Sequence, residues 1–417
     1  MRISTIARCL VAALALLGPS GGAWAASELV ETVQMHLYAG KTAAAAAFAE
    51  ERLATNPEDD EARFALGAVQ FLQAIENLGR TFHRYGLNNG ESTAGLAGLP
   101  FFRLPVPPNA NPETIDYEAL RDVLGTLVDD LASAEETLSG VNSTTLDLPL
   151  NLALIRLDLD GDGEGSEEEA LGSILNAIGG PMWLGADPGD PLLTEFDASD
   201  VPWLRAYCHL LMAIAEFPLA HDWQTAFEST FQGLFPHAGL PLSQAERSPL
   251  PDEYQMYPPI ADLIAFIHLL HWPVAEPERM KSVLAHLEAI PPLSRENWTR
   301  IQAETDSGKE WLPNPRQGGI LPGVAVTQEQ IDGWMLLLDE FEALLKGEKL
   351  LPHWRFDKGI NLRRMFLEPT TFDVVLLIQG SAAIPYLEDG TLTEGVTWQR
   401  IGGLIGGNFI GYAMWFN

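Results

Sequence analysis

The stretch Ile115-Asp-Tyr-Glu-Ala-Leu120-Arg-Asp-Val123-Leu124-Gly-Thr-Leu127-Val128-Asp-Asp-Leu131-Ala-Ser-Ala-Glu-Glu-Thr-Leu138 decides the fold class. Leu120, Val123, Leu124, Leu127, Val128 and Leu131 recur at steps of three and four, so they share one face of an α-helix while the acids take the other. The same period returns over Pro202 to Phe217, Thr225 to Phe235, Ile260 to Trp272, Glu276 to Ile290, Glu329 to Lys346 and Thr393 to Trp415. Alternating patterns are scarce. Phe372 to Ile378 is the best strand candidate, and its apolar run equally fits a buried helix. The chain is therefore predicted to be mainly α, a helical array or bundle.

Composition bounds the function. The 417 residues hold 57 Asp and Glu against 25 Lys and Arg, a net charge of −32. Such a chain lacks the basic stripe that displaces counterions from nucleic acid or holds a protein to an anionic membrane, and no Lys/Arg run exceeds two residues. At 47% hydrophobic and 20% charged it can fill a core, which an acidic disordered tail cannot. It has no apolar run of the roughly 18 residues that would predict a transmembrane segment.

Residues 1–25 read as a secretory signal peptide. Arg2 and Arg8 give the positive start, Cys9 to Leu17 the apolar core, and Ala23-Trp24-Ala25 the small-residue cleavage pattern. A cut after Ala25 predicts a periplasmic or secreted protein whose net charge is two units more negative, since two arginines and no acid are removed. Only Cys208 then remains, so no internal disulfide can form and core packing alone must hold the fold. Its apolar helical surroundings predict a buried thiol.

From Glu28 to about Arg80 the chain is alanine-rich with helical spacing, enough for two or three amphipathic helices. This stretch resembles the tetratricopeptide repeat. Gly40, Ala45 and Leu53 fall where the 34-residue pattern wants a small turn residue and packing residues, Asn56-Pro57 closes the unit, and Leu66-Gly67 matches the next opening. About one and a half repeats are covered; the aromatic expected beside Leu66-Gly67 is displaced to Phe64, and Arg52 replaces a small residue. The resemblance implies a helical hairpin packed on the rest of the chain and, by the habit of that family, protein partners. The expected division is a signal peptide (1–25), a repeat-like helical region (26–95), a Pro/Gly-rich linker (96–113) containing Leu104-Pro105-Val106-Pro107-Pro108, and an α-helical domain (114–417).

One stretch carries specific chemistry: Asp158-Leu159-Asp160-Gly161-Asp162-Gly163-Glu164-Gly165-Ser166-Glu167-Glu168-Glu169. It resembles the twelve-residue calcium loop of the EF-hand, with acids at positions 1, 3 and 5, Gly163 at the sharp turn, Ser166 at position 9 and Glu169 at position 12. A hard dication taking about seven oxygens needs alternating carboxylates on a tightly turned loop and a bidentate carboxylate returning from its far end. On that template Asp158, Asp160 and Asp162 give side-chain oxygens, Glu164 its main-chain carbonyl, Ser166 a direct or water-mediated bond, and Glu169 both oxygens. Calcium is thus the expected cofactor; magnesium, which keeps several waters, suits so many protein oxygens less well. Asp147 and Pro149 predict the start of an entering helix through Leu157, and Ser166 to Ile178 an exiting one. Two departures stand out: Gly165 occupies position 8, where Ile, Leu or Val makes a β contact with a partner loop, and no second loop is found. Asp197-Ala198-Ser199-Asp200 reads as a helix cap. A static clip between two helices is expected.

Other candidates point to no reaction. His268 and His271 share a helix face but lack a third ligand at a known spacing. Gly380-Ser381-Ala382-Ala383 is not a nucleophile elbow, and phosphate-loop and dinucleotide motifs are absent. Trp398 to Phe416 places Gly402, Gly403, Gly406, Gly407 and Gly411 among large apolar residues, which predicts a buried terminal helix, with docking to a partner or a membrane surface as the alternative. Two functional readings follow. The first is an exported calcium-binding helical protein with a structural or protein-interaction role; the second is an enzyme of unrecognised type with a site near Cys208, His209, His268, His271 and Arg355.

Overall fold

The computed structural model describes residues 27–88, 100–179, 192–241, 257–305, 309–320, 325–404 and 416. The expected signal peptide and most of the glycine-rich C-terminus, 405–415, lie outside the described residues. The architecture is mainly α, as the apolar stripes predict.

Three helices open it: α1 (Glu28–Tyr38), α2 (Thr42–Thr55) and α3 (Asp60–Arg84). Ser27 and Asp59 cap α1 and α3 by accepting the amides of Val30 and Ala62. Gly40 turns the chain between α1 and α2 with φ of +68°, a conformation that favours glycine. Helix α4 (Tyr117–Ser139), capped by Asp116, lies along α3 with Leu120, Val123, Leu124, Leu127 and Leu131 buried. Gly67 lets the two approach, because a β-carbon there would lie 2.5 Å from Leu138 Cγ. The stretch read as a linker is not free of the core. Phe101 and Phe102, in a 3₁₀ turn over Pro100–Arg103, and Leu104 and Val106 beyond it, are all buried.

After α4 the chain departs from the helix–loop–helix expected there. The predicted entering helix from Asp147 is a strand, β1 (Asp147–Asn151), antiparallel to β2 (Leu193–Asp197). Leu148 and Leu150 point inward at a spacing of two, which outweighs the helix-start signal of Asp147 and Pro149. The exiting helix starts later than predicted, as α5 (Leu171–Gly179), so the acidic loop sits between a strand and a helix.

Helices α6 (Asp200–Leu219), α7 (Gln224–Thr230) and α8 (Tyr257–Leu269) follow, then β3 (His271–Trp272) and α9 (Pro277–Ala303). The apolar pattern predicts a stop at Ile290, before Pro291-Pro292, yet α9 continues through both prolines. The buried face Ile290, Pro291, Leu293, Trp298 and Ile301 is held against neighbouring helices, and that burial offsets the two missing amide donors. Helix α6 lies antiparallel to α9: His209 meets His286, and Arg300 Nη1 donates to Ala198 O at the opposite end.

A short parallel pair, β4 (Lys309–Glu310) and β5 (Gly318–Gly319), leads to α10 (Gln328–Leu345), which starts on a capping box of Thr327 and Gln330. Strands β6 (Leu351–His353) and β7 (Phe356–Ile360) form a hairpin, followed by α11 (Leu362–Leu367), β8 (Phe372–Asp373), α12 (Val374–Gln379), β9 (Leu387–Glu388) and α13 (Gly395–Leu404). β9 pairs with β7, and β8 pairs with β3. The apolar run from Phe372 is therefore two strand residues and then an exposed helix. One hydrophobic core runs from Leu29 to Phe416, and the Phe416 ring packs 4.6 Å from Trp298.

Candidate metal centre

The loop 158–169 is closed at its base by backbone. Leu157 N donates to Glu169 O at 3.1 Å and Leu171 N to Ile155 O at 2.9 Å, with Arg156 and Ala170 paired as an antiparallel bridge. Ile155, Leu157 and Leu159 point into the core and anchor that base. This two-sided clamp does the work that an entering helix would do in a helix–loop–helix unit.

Within the loop each acid first organises backbone. Asp158 Oδ1 accepts from Gly161 N at 2.7 Å and its Oδ2 from Gly163 N at 3.1 Å. Asp160 Oδ1 accepts from Asp162 N at 3.0 Å, and Asp162 Oδ1 from Glu164 N at 2.8 Å. These turns require Gly161 and Gly163, whose φ angles are +78° and +91°. The result gathers three carboxylates: oxygens of Asp158, Asp160 and Asp162 lie within 4.8 Å of one another. Asp158 is buried, Asp160 half-buried and Asp162 exposed, so the group opens from the core toward solvent. Burial, with the Glu169 and Asp162 carboxylates nearby, holds the Asp160 carboxyl above its usual range, a bias that a bound cation would reverse.

Glu169 is placed differently from the template. It is buried, and its oxygens take backbone amides: Oε1 from Leu159 N at 2.7 Å and Asp160 N at 3.2 Å, Oε2 from Ser166 N at 2.8 Å. It lies outside the group formed by the three aspartates. Glu164 and Ser166 are exposed. The donors assembled are hard carboxylate oxygens, which suit Ca²⁺, Mg²⁺ or Mn²⁺ and not a soft metal.

The loop is seated on the N-terminal helices by residues the motif does not include. Arg80 of α3 donates through Nε to Asp158 O and through Nη2 to Asp158 Oδ2, both at 2.9 Å, and the same Nη2 lies 2.5 Å from Glu76 Oε1. Glu76 is buried; Thr42 Oγ1 donates to both its oxygens at 3.1 Å, and Asp158 N donates to Oε2 at 3.3 Å. Burial raises the Glu76 pKa despite the Arg80 charge beside it. The fit is close at two glycines: a β-carbon on Gly79 would meet Leu159 Cδ2 at 2.5 Å, and one on Gly40 would meet Gly165 N at 2.6 Å. That contact explains the glycine at position 8. Gly165 lies against the α1–α2 turn, where a branched side chain has no room.

The five residues of the enzyme reading do not come together. Cys208 is in the core, and burial pushes its thiol pKa far up. His209 Nδ1 faces His286 Nδ1 at 3.0 Å, and its Nε2 lies 3.6 Å from Glu135 Oε1. His271 Nδ1 pairs with Asp373 Oδ2 at 2.8 Å on the β3–β8 ribbon, Arg355 stacks 3.9 Å over Trp354, and His268 is exposed. The cluster of Glu135, Arg205, His209 and His286 was not foreseen from sequence, because its members come from three separated helices with no shared spacing. No family model, curated protein or solved structure matches the chain.

Proposed function

We propose that this chain is an exported calcium-binding protein in which one cation in the 158–169 loop fastens the N-terminal helices to the rest of the fold, in a structural or protein-interaction role. The observation that carries the reading is the convergence of Asp158, Asp160 and Asp162 oxygens within 4.8 Å on a loop turned by two glycines of positive φ. Among the described residues, Asp160 Oδ2 and Asp162 Oδ2 have no protein donor, and Asp158 Oδ1 has one, so each can turn a lone pair to a cation. The further oxygens would come from the Glu164 carbonyl, Ser166 and water. Glu169, tied to three loop amides, would hold the loop's shape; Oε1 already accepts two of them, so only Oε2 keeps a lone pair. Seating on α1–α3 supports a clip over a switch, since the loop is already locked at both ends by backbone and by Arg80. The repeat-like N-terminal helices favour protein partners, and the segment 1–25 favours export.

Calorimetric titration of the calcium-depleted chain tests the metal reading. One site per chain is expected, with a Kd of about 10⁻⁴–10⁻³ M, as in exported modules. The Asp160→Asn/Asp162→Asn variant should give no heat; the same heat from both proteins would remove the loop from the account. Export predicts a mature N-terminus at Ala26, read by sequencing the protein recovered outside the cytoplasm.

A further inference from the structure

Twelve large hydrophobic side chains are strongly exposed among the described residues, and ten of them come from residues 260–267 and 354–384. On α8, Ile260, Leu263, Ile264 and Ile267 stand at steps of three, one and three, a single exposed stripe; Leu263 is 61% accessible. On α12, Val375, Leu376 and Ile378 are exposed, Ile378 at 67%. The β3–β8 ribbon joins the two helices, since α8 runs into β3 and β8 runs out into α12, with Val374 N donating to Leu270 O at 3.3 Å. At the far end of α12 the β6–β7 hairpin tip adds Trp354, 71% accessible, its indole N–H held by Ile378 O at 3.0 Å. The ribbon thus joins two exposed aliphatic stripes, and the second is edged by an indole on which Arg355 stacks.

Charge says what fits it. Residues 257–272 and 351–386 hold Arg355, Lys358, Arg363 and Arg364 against Asp262, Asp357, Glu368 and Asp373, so these segments are neutral and the whole net charge of −32 lies elsewhere. An acidic protein whose exposed apolar segments carry no net charge is suited there to a surface that is apolar within and uncharged at its boundary. A second copy would bring another −32 toward the first. Aliphatic stripes carrying a rim Trp and Arg match the way amphipathic helices lie in the headgroup–acyl boundary. We propose that the α8–α12–Trp354 face docks onto a lipid bilayer of zwitterionic phospholipid, peripherally and without spanning it. This is independent of the calcium reading.

Co-sedimentation of the full chain with phosphatidylcholine vesicles tests it, at low and high salt. Binding is expected at both, with a partition constant on the order of 10⁴ M⁻¹, the level of one acyl chain. Ile264→Glu/Ile378→Glu, at two exposed sites that leave the core untouched, should lower it by at least about tenfold. Brominated lipid should quench a fluorescence component that Trp354→Phe removes. No binding, or binding that survives the double substitution, overturns the proposal. So does binding to phosphatidylglycerol vesicles alone that is lost at high salt, or a dimer in light scattering that the same substitutions dissociate.

Discussion

Replacing Arg80 with Met removes the one cation shared by two buried carboxylates. Its Nη2 contacts Glu76 Oε1 at 2.5 Å and Asp158 Oδ2 at 2.9 Å, while Glu76 and Asp158 are 2% and 3% accessible. Breaking a buried pair by deleting one partner costs about 3–5 kcal/mol, because the remaining charge stays in a poor solvent. The Arg80 side chain is itself 40% exposed, so water screens part of the interaction and about 2–3 kcal/mol is expected. Two controls divide the effect. Arg80→Lys keeps the charge but cannot reproduce the fork to Asp158 O and Oδ2, and should cost less than Met. Glu76→Gln/Arg80→Met removes one of the stranded charges and should recover about 1 kcal/mol or more of the single-variant loss. Urea unfolding in chelator measures all of them. A loss below about 0.5 kcal/mol for Arg80→Met, the range of ordinary surface changes, would refute the view that this guanidinium holds the loop on α3.

Other outcomes follow from the same geometry. Gly165→Val places the side chain usual for position 8 against Arg156 Cβ at 2.5 Å and Gly40 Cα at 3.1 Å, and should lower stability by about 1–3 kcal/mol in urea titrations. Burial and the neighbouring His209 lower the His286 pKa to about 4, below its ordinary value near 6.5. The native state therefore binds fewer protons than the unfolded chain between these values, so stability is full above pH 6.5 and is lost as pH falls toward 4. The ideal loss is about 3 kcal/mol, reduced to about 1–2 by partial exposure. His286→Gln should flatten that part of the stability–pH curve, and an unchanged slope would contradict the assignment. Asp200 has the opposite sign: burial raises its pKa well above the usual value, so it opposes folding as pH rises, and Asp200→Asn should raise the melting temperature at neutral pH but not in acid.

What sequence could show was local. Helices α4, α6 and α10 follow directly from their apolar stripes, and the acidic loop is legible because its carboxylates are contiguous. Three features needed tertiary structure. The Leu148/Leu150 alternation spans too few residues to outweigh a helix-start signal in sequence, and only pairing with β2 makes the stretch a strand. The continuity of α9 through Pro291-Pro292 depends on packing that no period reveals. Glu76, Arg80 and Thr42, which seat the loop, lie about 80–120 positions before it, and only folding brings them to Asp158. The stripe on α8 was visible in sequence, but its exposure was not.

A cation in the 158–169 loop should stabilise the fold. The direct measurement is the unfolding free energy in about 10 mM calcium minus that in chelator, for the natural chain and for Asp160→Asn/Asp162→Asn. With a Kd of about 10⁻⁴–10⁻³ M the natural chain should gain about 1.4–2.7 kcal/mol and the variant nothing. No gain in the natural chain, or an equal gain in both, would contradict it.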